Sequence, residues 1–528
     1  MKKYLLVLTI LSLMALWPFF RKGYFESHDG HWWVIRFSAF HQALTQGQIP
    51  VRYVERLNNN YGYPVFNFTY PLPYYLAEIP KVLGLGFVDS IKAVFIGSTI
   101  LSTLLMYWAL LAKFPKHISF LAAIIYLFVP YRFVDLYVRG SIGETLLFTF
   151  APLVLGSIFR LSGKFDLNFL LLALSISGLI LSHNILAIVF LIIFILTGVV
   201  YLKKSQFTLF FLAIFLAIFL TSFFIIPALF YLPDVSVSNI KIDYSTHLTP
   251  LSRLVFSPWG YEALPNSING FSTQIGVIPF VVILVSLIHY FRKIENSALF
   301  KTYILIFLGA VFLMTNLSYP VWNSIKVLHS FQHPWRLLSV VAFVTPLLLA
   351  ICLSHIKLKS LKVYLLAALI VLSTIIYTRP KNFNNYPDAF YSTNEATTAI
   401  WNEFLPKWAS KTPLARNNSK LGNNLQIIVK EKRENYLSYQ YQLNALEDTD
   451  LIINTIYFPG FTSSIDGHKV TTSYDENGLI SLKLPKGEHK VIIKYGKTPV
   501  HLFSELISLI SLTGTGIYFL YLWRKQNS

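Results

Sequence analysis

The feature that most constrains this chain is a series of twelve apolar runs separated by polar connections. A helix rises about 1.5 Å per residue, so roughly 20 apolar residues cross the hydrocarbon core of a bilayer. The composition also favours lipid as the main solvent, because 54% of the residues are hydrophobic and only 13% are charged. We predict membrane helices at residues 4–20, 88–112, 118–132, 142–160, 168–182, 185–202, 207–231, 274–291, 299–315, 337–355, 361–377 and 500–523.

The basic residues predict which side of the membrane each connection occupies. Short cytoplasmic loops carry an excess of Lys and Arg. If the N-terminus is cytoplasmic and the helices alternate, every cytoplasmic end is basic, and the C-terminus is also cytoplasmic. These ends carry Lys2, Lys3, Lys113, Lys116, Arg160, Lys164, Lys203, Lys204, Arg292, Lys293, Lys357, Lys359, Lys362, Arg524 and Lys525. The net charge of +19 therefore reflects membrane topology, and we expect no nucleic-acid partner.

The same alternation places the longer connections on the extracytoplasmic side. They comprise residues 21–87, 133–141, 232–273, 316–336 and 378–499. Because the cytoplasmic loops are too small to hold an active site, we expect the chemistry of the protein at the extracytoplasmic face. We predict an integral membrane protein, most simply of a bacterial plasma membrane.

The last extracytoplasmic segment changes in character. From about residue 423 apolar and polar residues alternate as they do in strands, and turn signals such as Asp466-Gly467 separate the runs. The predicted fold class is an all-α polytopic membrane domain of about twelve helices, with a small extracytoplasmic β-sandwich before the last helix. The predicted divisions are residues 1–377 for the membrane domain, 378–422 for a linker, 423–499 for the sandwich and 500–528 for the final helix and tail. We expect one or two short helices in the linker, around residues 401–408.

The first extracytoplasmic loop offers a candidate catalytic carboxylate, Asp29, between His28 and His31. An ionised Asp near the bilayer surface can take the proton of an acceptor hydroxyl as a general base. The two histidines can tune Asp29, contact substrate or bind a divalent metal ion. The alternative is that Ser27 or Asp29 caps a helix that begins near residue 30.

Further polar residues interrupt the apolar pattern at the predicted extracytoplasmic ends of helices. Asp135, Arg139 and Glu144 indicate either a structural Arg139–Glu144 ion pair or a site in which Arg139 holds a phosphate and Asp135 or Glu144 contacts a metal ion or the acceptor. His183 breaks an apolar hairpin and is either a turn residue or a substrate contact.

The third group precedes the helix at residues 337–355 and contains Gln332, Trp335 and Arg336. The planar guanidinium of Arg336 suits a lipid phosphate, whereas the alternative is an arginine that extends along the helix to the interface. The aromatic residues of the first loop, at 61–75, indicate an interfacial belt or a groove for a polyprenyl chain or sugar. The aromatic residues at 457–461 either form the core of the sandwich or bind sugar.

These motifs resemble those of the GT-C glycosyltransferases, which carry an acidic residue in the first outer loop, many helices and a C-terminal outer domain. The runs 27–31, 135–144, 182–184 and 331–336 are similar to a bacterial family labelled "6-pyruvoyl-tetrahydropterin synthase-related membrane domain". The run 457–495 resembles the outer domain of YfhO-type membrane proteins, which are implicated in glycosylating cell-wall or lipid carriers. The resemblance implies that Asp29 is the general base and that the donor is a polyprenyl-phosphate sugar.

The function that these residues and the resemblance together imply is hexosyl or pentosyl transfer from that donor to a lipid, cell-wall or protein acceptor. The alternatives are a lipid or polysaccharide transporter and a non-catalytic scaffold that presents the sandwich. A transporter would need ionisable residues along a path through the membrane. No cofactor is expected with certainty, and a divalent metal ion is the candidate that remains.

Overall fold

The computed structural model describes residues 2–239, 243–325, 328, 331–354, 356, 358–396, 403–409 and 415–527. Ser330 and the residues at 401–402, which belong to predicted motifs, lie outside the described residues. The described helices are α1 (Lys2–Ala15), α2 (Gly30–Thr45), α3 (Leu72–Val82), α4 (Phe87–Leu110), α5 (Lys116–Phe128), α6 (Pro130–Phe133), α7 (Ile142–Arg160), α8 (Leu167–Ser182), α9 (Asn184–Tyr201), α10 (Lys204–Leu220), α11 (Ser222–Tyr231), α12 (Leu251–Val255), α13 (Val277–Phe291), α14 (Ala298–Met314), α15 (Tyr319–Ser324), α16 (Leu338–Leu353), α17 (Ser360–Thr374), α18 (Asp388–Ser392) and α19 (Pro499–Asn527).

A helix lies at each of the twelve predicted apolar runs, but the count of twelve membrane spans is not confirmed. Among the described residues, six helices are long and apolar enough to cross a membrane, or eight if each of two bent pairs is one span. The apolar helices α8, α13 and α14 are shorter than 18 residues. The chain is an integral membrane protein with six to eight candidate spans and a β-sheet domain near its C-terminus.

The connection at residues 133–141, which the sequence predicts to be an extracytoplasmic loop, is mostly helical. After α6 the backbone continues as a π-helix at Val134–Arg139, and this segment is bent by 47° from α5. The helix ends at Gly140, whose φ of +63° lies in the left-handed region that glycine adopts without a steric penalty. Asp135 and Arg139 therefore lie four residues apart on one face of a helical turn.

The strands are β1 (Tyr24–Phe25), β2 (Phe383–Asn384), β3 (Ile427–Asn435), β4 (Ser438–Ala445), β5 (Thr449–Ile456), β6 (Phe461–Ile465), β7 (His468–Val470), β8 (Ser473–Tyr474), β9 (Leu479–Leu484) and β10 (Gly487–Tyr495). Near the C-terminus they form a five-stranded sheet in the order β3-β4-β10-β6-β7 and a three-stranded sheet in the order β5-β9-β8. The alternation in β4 shows why this segment is a strand, since Tyr439, Tyr441 and Leu443 are at most 1% exposed and pack in the domain core.

Part of the predicted linker ties the first loop in place. β1 and β2 pair in antiparallel register, with Tyr24 opposite Asn384 and Phe25 opposite Phe383. The Asp388 carboxylate accepts a hydrogen bond from the Phe87 amide at the start of α4. The helices predicted around 401–408 are absent from the described part, 403–409, which consists of turns and a bridge between Pro406 and Val235.

Candidate functional site

Asp29 lies where the first loop contacts the π-helix. The backbone N–H groups of His28 and Asp29 donate to the carbonyl oxygens of Val138 and Arg139, both at 2.9 Å. These two backbone hydrogen bonds hold the first loop against the π-helix turn that carries Asp135 and Arg139. Because these bonds use only the backbone, they position Asp29 without engaging its carboxylate.

The capping alternative applies to Ser27 and not to Asp29. The Ser27 hydroxyl accepts a hydrogen bond from the Gly30 amide at 3.2 Å, at the start of α2. The side chain of Asp29 makes no capping bond, although its backbone occupies the N-cap position. Among the described residues, no group donates a hydrogen bond to the half-buried Asp29 carboxylate. This carboxylate is available for a ligand.

Arg139 is the centre of a group of charged residues that we call the arginine cluster: Asp135, Arg139, Glu144 and Arg336. Its Nη1 lies 2.8 Å from Asp135 Oδ1, 2.6 Å from Glu144 Oε1 and 2.9 Å from the Tyr131 hydroxyl. The Tyr131 hydroxyl donates to Glu144 Oε2 at 2.8 Å. The side chains of Asp135, Arg139 and Glu144 are at most 4% exposed. The ion pair of the structural alternative is therefore present, and two carboxylates already neutralise Arg139.

Arg336 has fewer partners than Arg139. Its Nε lies 3.7 Å from Glu144 Oε1, which is too long for a hydrogen bond, and this buried nitrogen has no hydrogen-bond partner. Its Nη1 donates to Gln332 Oε1 at 3.2 Å. The φ of Gln332 is +64°, an uncommon left-handed conformation for a residue with a side chain. Arg336 therefore retains a buried N–H group that an anion can accept from.

Trp335 and His183 complete the surroundings of the cluster. The Arg139 guanidinium carbon lies 4.6 Å from the centre of a Trp335 ring, a cation–π distance, and the buried indole Nε1 has no hydrogen-bond partner. His183 caps α9, because its Nδ1 accepts a hydrogen bond from the Leu186 amide at 3.3 Å. The proton of the neutral ring is then on Nε2, which lies 4.0 Å from Glu144 Oε1.

Tyr70 lies within electrostatic range of both Asp29 and Arg336. Burial raises the pKa of the Tyr70 hydroxyl, the neighbouring Tyr74 and the negative charge of Asp29 raise it further, and Arg336 lowers it. The Tyr70 hydroxyl is therefore affected by both the carboxylate and the guanidinium. The Tyr70 ring also stacks on His183, with ring centres 5.2 Å apart.

His28 and His31 face different parts of the protein. The His28 ring donates from Nε2 to the Tyr261 carbonyl oxygen at 2.8 Å, and burial lowers the pKa of His28. His31 Nδ1 lies 3.1 Å from the Tyr391 hydroxyl, so His31 contacts the segment around α18 and not the arginine cluster.

The divalent metal ion that the sequence suggested near Asp29 stays a prediction. Among the described residues, no group of three His, Cys, Asp or Glu side chains could hold a metal ion. The nearest histidine, His28, uses one ring nitrogen for the Tyr261 carbonyl. We therefore derive no step through a metal ion.

The structure brings together most of the residues that the sequence singled out. Asp29 and His28 meet the arginine cluster through the backbone, and one connected set of side chains contains Asp135, Arg139, Glu144, His183, Gln332, Trp335 and Arg336. Their roles in substrate binding stay predictions. The sequence did not single out Tyr131, and it treated Tyr70 only as one member of an aromatic belt. The polar tip of Tyr131, directly after Pro130 at the end of an apolar run, is the signal that could have identified it.

No protein-family model matches the chain, and no curated protein matches it. The more specific family resemblances therefore remain predictions. Among solved structures, the chain is similar to the arabinofuranosyltransferase AftD from Mycobacteria, with a TM-score of 0.49 and 13% identity over 72% of this chain and 26% of that one. It is also similar to the Archaeoglobus fulgidus oligosaccharyltransferase in its apo form, with a TM-score of 0.46 and 15% identity over 75% of this chain and 56% of that one. The chain spans about a quarter of the first protein and about half of the second.

Proposed function

We propose that this chain is a membrane glycosyltransferase. In this proposal it takes a sugar from a polyprenyl-phosphate donor at the extracytoplasmic face and transfers it to a lipid, cell-wall or protein acceptor. The observation that carries the proposal is that two polar groups of this region lack a hydrogen-bond partner in the described chain: the Asp29 carboxylate and the buried Nε of Arg336. Buried polar groups are normally hydrogen-bonded, so an unpaired one needs an explanation. A bound substrate supplies it.

The donor phosphate is assigned to Arg336 and Trp335. The Arg336 Nε and the Trp335 Nε1 are both buried N–H groups without a partner, on adjacent residues. Phosphate oxygens accept such hydrogen bonds, and a guanidinium binds them with charge assistance. Arg139 is a less suitable ligand because the Asp135 and Glu144 carboxylates already balance its charge. We assign to Arg139 the positioning of the Glu144 carboxylate beside Arg336.

The proposed reaction is a single displacement with inversion. The acceptor oxygen attacks the anomeric carbon of the donor while its proton passes to the Asp29 carboxylate. The bond between the anomeric carbon and the phosphate oxygen breaks, and its electron pair leaves with the lipid phosphate. Arg336 stabilises the charge that develops on that phosphate, and a fixed guanidinium does so without reorganising solvent.

The test uses the purified protein in liposomes with radiolabelled polyprenyl-phosphate hexoses and pentoses, and membranes of the producing cell as the source of acceptor. Asp29→Asn should lower the transfer rate at least about 100-fold, because it removes a general base. Asp89→Asn is the matched control, since the Asp89 side chain is 63% exposed in the first turn of α4 and forms an ion pair with Lys92. Both variants should insert into membranes like the wild type. Full activity of Asp29→Asn would remove the proposed base.

A further inference from the structure

One face of α2 continues the candidate site beyond Asp29. Asp29, Trp33 and Arg36 follow one another at a spacing of four and three residues, so they lie on the same helical face. The Trp33 amide donates to the Asp29 carbonyl oxygen at 3.1 Å, which shows that the helical register extends back to Asp29. Trp33 therefore lies about one helical pitch, roughly 5.4 Å, from the candidate base.

Trp33 is buried, but its polar group is unused. The side chain is 6% exposed, and the indole Nε1 has no hydrogen-bond partner among the described residues. A buried indole N–H usually finds an acceptor. The centres of the Tyr70 and Tyr74 rings lie 5.8 and 6.0 Å from the Trp33 ring. An unsatisfied donor is thus surrounded by aromatic rings one turn away from Asp29.

Gly143 leaves room for Tyr70, one of the aromatic rings beside Trp33, to pack close to Glu144 of the arginine cluster. A Cβ atom on Gly143 would lie 2.4 Å from the Tyr70 ring, so a larger residue there would displace Tyr70. Arg36, which follows Trp33 on the same helical face, is balanced by an ion pair, since its guanidinium lies 3.7 Å from the Glu403 carboxylate. The surroundings of Trp33 therefore differ from those of Arg336, which offers a positive charge to an anion.

We infer, on the basis of the transferase function proposed above, that this face of α2 binds the acceptor and that the acceptor group is a saccharide hydroxyl rather than a peptide amide. Aromatic rings with a polar tip suit a sugar ring, which presents C–H groups on its faces and oxygens at its edge. The Trp33 N–H donates to one of those oxygens. An attacking hydroxyl releases one proton, and the single carboxylate of Asp29 accepts it.

The test compares two tryptophans whose buried indole N–H groups have no partner among the described residues: Trp33, one turn from Asp29, and Trp335, beside Arg139. Trp33→Phe keeps an aromatic ring and removes the N–H donor. With the labelled donor that the liposome assay identifies, its KM for a soluble oligosaccharide acceptor should rise up to about tenfold, the loss expected for one buried hydrogen bond. Its KM for the donor should stay within about twofold of the wild type. Trp335→Phe should show the reverse pattern, and Trp32→Phe, outside the site, should change neither constant.

The outcomes separate this inference from the function on which it rests. Transfer to peptides and not to oligosaccharides would overturn the acceptor class, while leaving glycosyl transfer in place. A Trp33→Phe variant with an unchanged acceptor KM, or with an equal rise in the donor KM, would overturn the acceptor subsite. If the wild type uses none of the labelled donors, the proposed transferase function itself fails.

Discussion

Arg139 and Arg336 belong to one cluster but have different electrostatic surroundings. Arg139 contacts two carboxylates and a tyrosine hydroxyl at 2.6–2.9 Å, and its side chain is 4% exposed. Arg336 has one carboxylate at 3.7 Å and is 14% exposed. Removing one partner of a buried ion pair leaves an uncompensated charge, which costs more than the pair itself contributes. The two arginines should therefore respond differently to the same substitution.

We expect Arg139→Gln to lower the free energy of unfolding by about 3–5 kcal/mol, because Asp135 and Glu144 lose their common partner. Arg336→Gln should change stability little and raise the KM for the lipid-phosphate donor. Thermal unfolding of both variants in detergent, together with donor titrations in liposomes, measures the two effects. An Arg139→Gln variant as stable as the wild type, with impaired donor binding, would make Arg139 the phosphate ligand instead.

At the scale of elements, the site depends on how closely α2 approaches the turn after the π-helix. A Cβ atom on Gly140 would lie 2.6 Å from the Ser27 hydroxyl oxygen and 3.0 Å from the Gly30 amide nitrogen. The φ of Gly140 is +63°. Any side chain there would thus push the start of α2, and Asp29 with it, away from Arg139.

Gly140→Ala should lower the transfer rate by more than tenfold, because a displacement of about 1 Å at a catalytic group has effects of this size. Gly47→Ala is a matched control, since Gly47 also has a positive φ, +87°, but no atom lies within 4 Å of the added Cβ. Both variants should lose about 1–2 kcal/mol of stability from backbone strain. Equal transfer rates for the two variants would show that the contact with Ser27 does not position Asp29.

The sequence predicts those elements that depend on local pattern. Apolar runs of sufficient length marked the helices, and alternation marked strands such as β4. The grouping of Asp135, Arg139 and Glu144 was also predictable, because these residues are neighbours in the chain. The π-helix was not, since its geometry depends on packing between helices rather than on propensity.

The local pattern of apolar and polar residues does not predict contacts between segments that are distant in the chain. Tyr70 stacks on His183, which is more than a hundred residues away, and nothing local distinguishes it from other aromatic residues of the first loop. The cap of α2 shows the same limit, because Ser27 and Asp29 fit the role equally well by type. The backbone hydrogen bonds to the π-helix explain why Ser27, rather than Asp29, caps α2.

In the whole molecule, the first loop connects the candidate site to the β-sheet domain. The Tyr53 hydroxyl donates to the Ile456 carbonyl oxygen at 2.7 Å, and Glu55 accepts hydrogen bonds from the Tyr439 hydroxyl and the Leu437 amide. Arg52 pairs with Glu505 on α19 at 3.3 Å. The same loop that carries Asp29 thus contacts both the sheet domain and the last helix, so Asp29 and the sheet domain lie on one side of the membrane.

That arrangement allows one labelling experiment to locate the site. The native thiol, Cys352, is 2% exposed, and Cys352→Ala gives a background without cysteine. On that background, Lys469→Cys places a thiol on the exposed strand β7, and Asn296→Cys places one in the exposed connection between α13 and α14. The basic residues Arg292 and Lys293 predict that this connection is cytoplasmic.

A membrane-impermeant maleimide added to intact cells should label the Lys469→Cys variant and leave the Asn296→Cys variant unlabelled until the cells are permeabilised. The reason is the charge pattern, because cytoplasmic loops carry an excess of Lys and Arg. The reverse orientation would place Arg292, Lys293 and the other basic helix ends outside the cell. The reverse labelling would place the sheet domain, and through the first loop Asp29, in the cytoplasm. A donor presented at the extracytoplasmic face could then not reach Asp29, and the reaction proposed here would have to use a cytoplasmic donor.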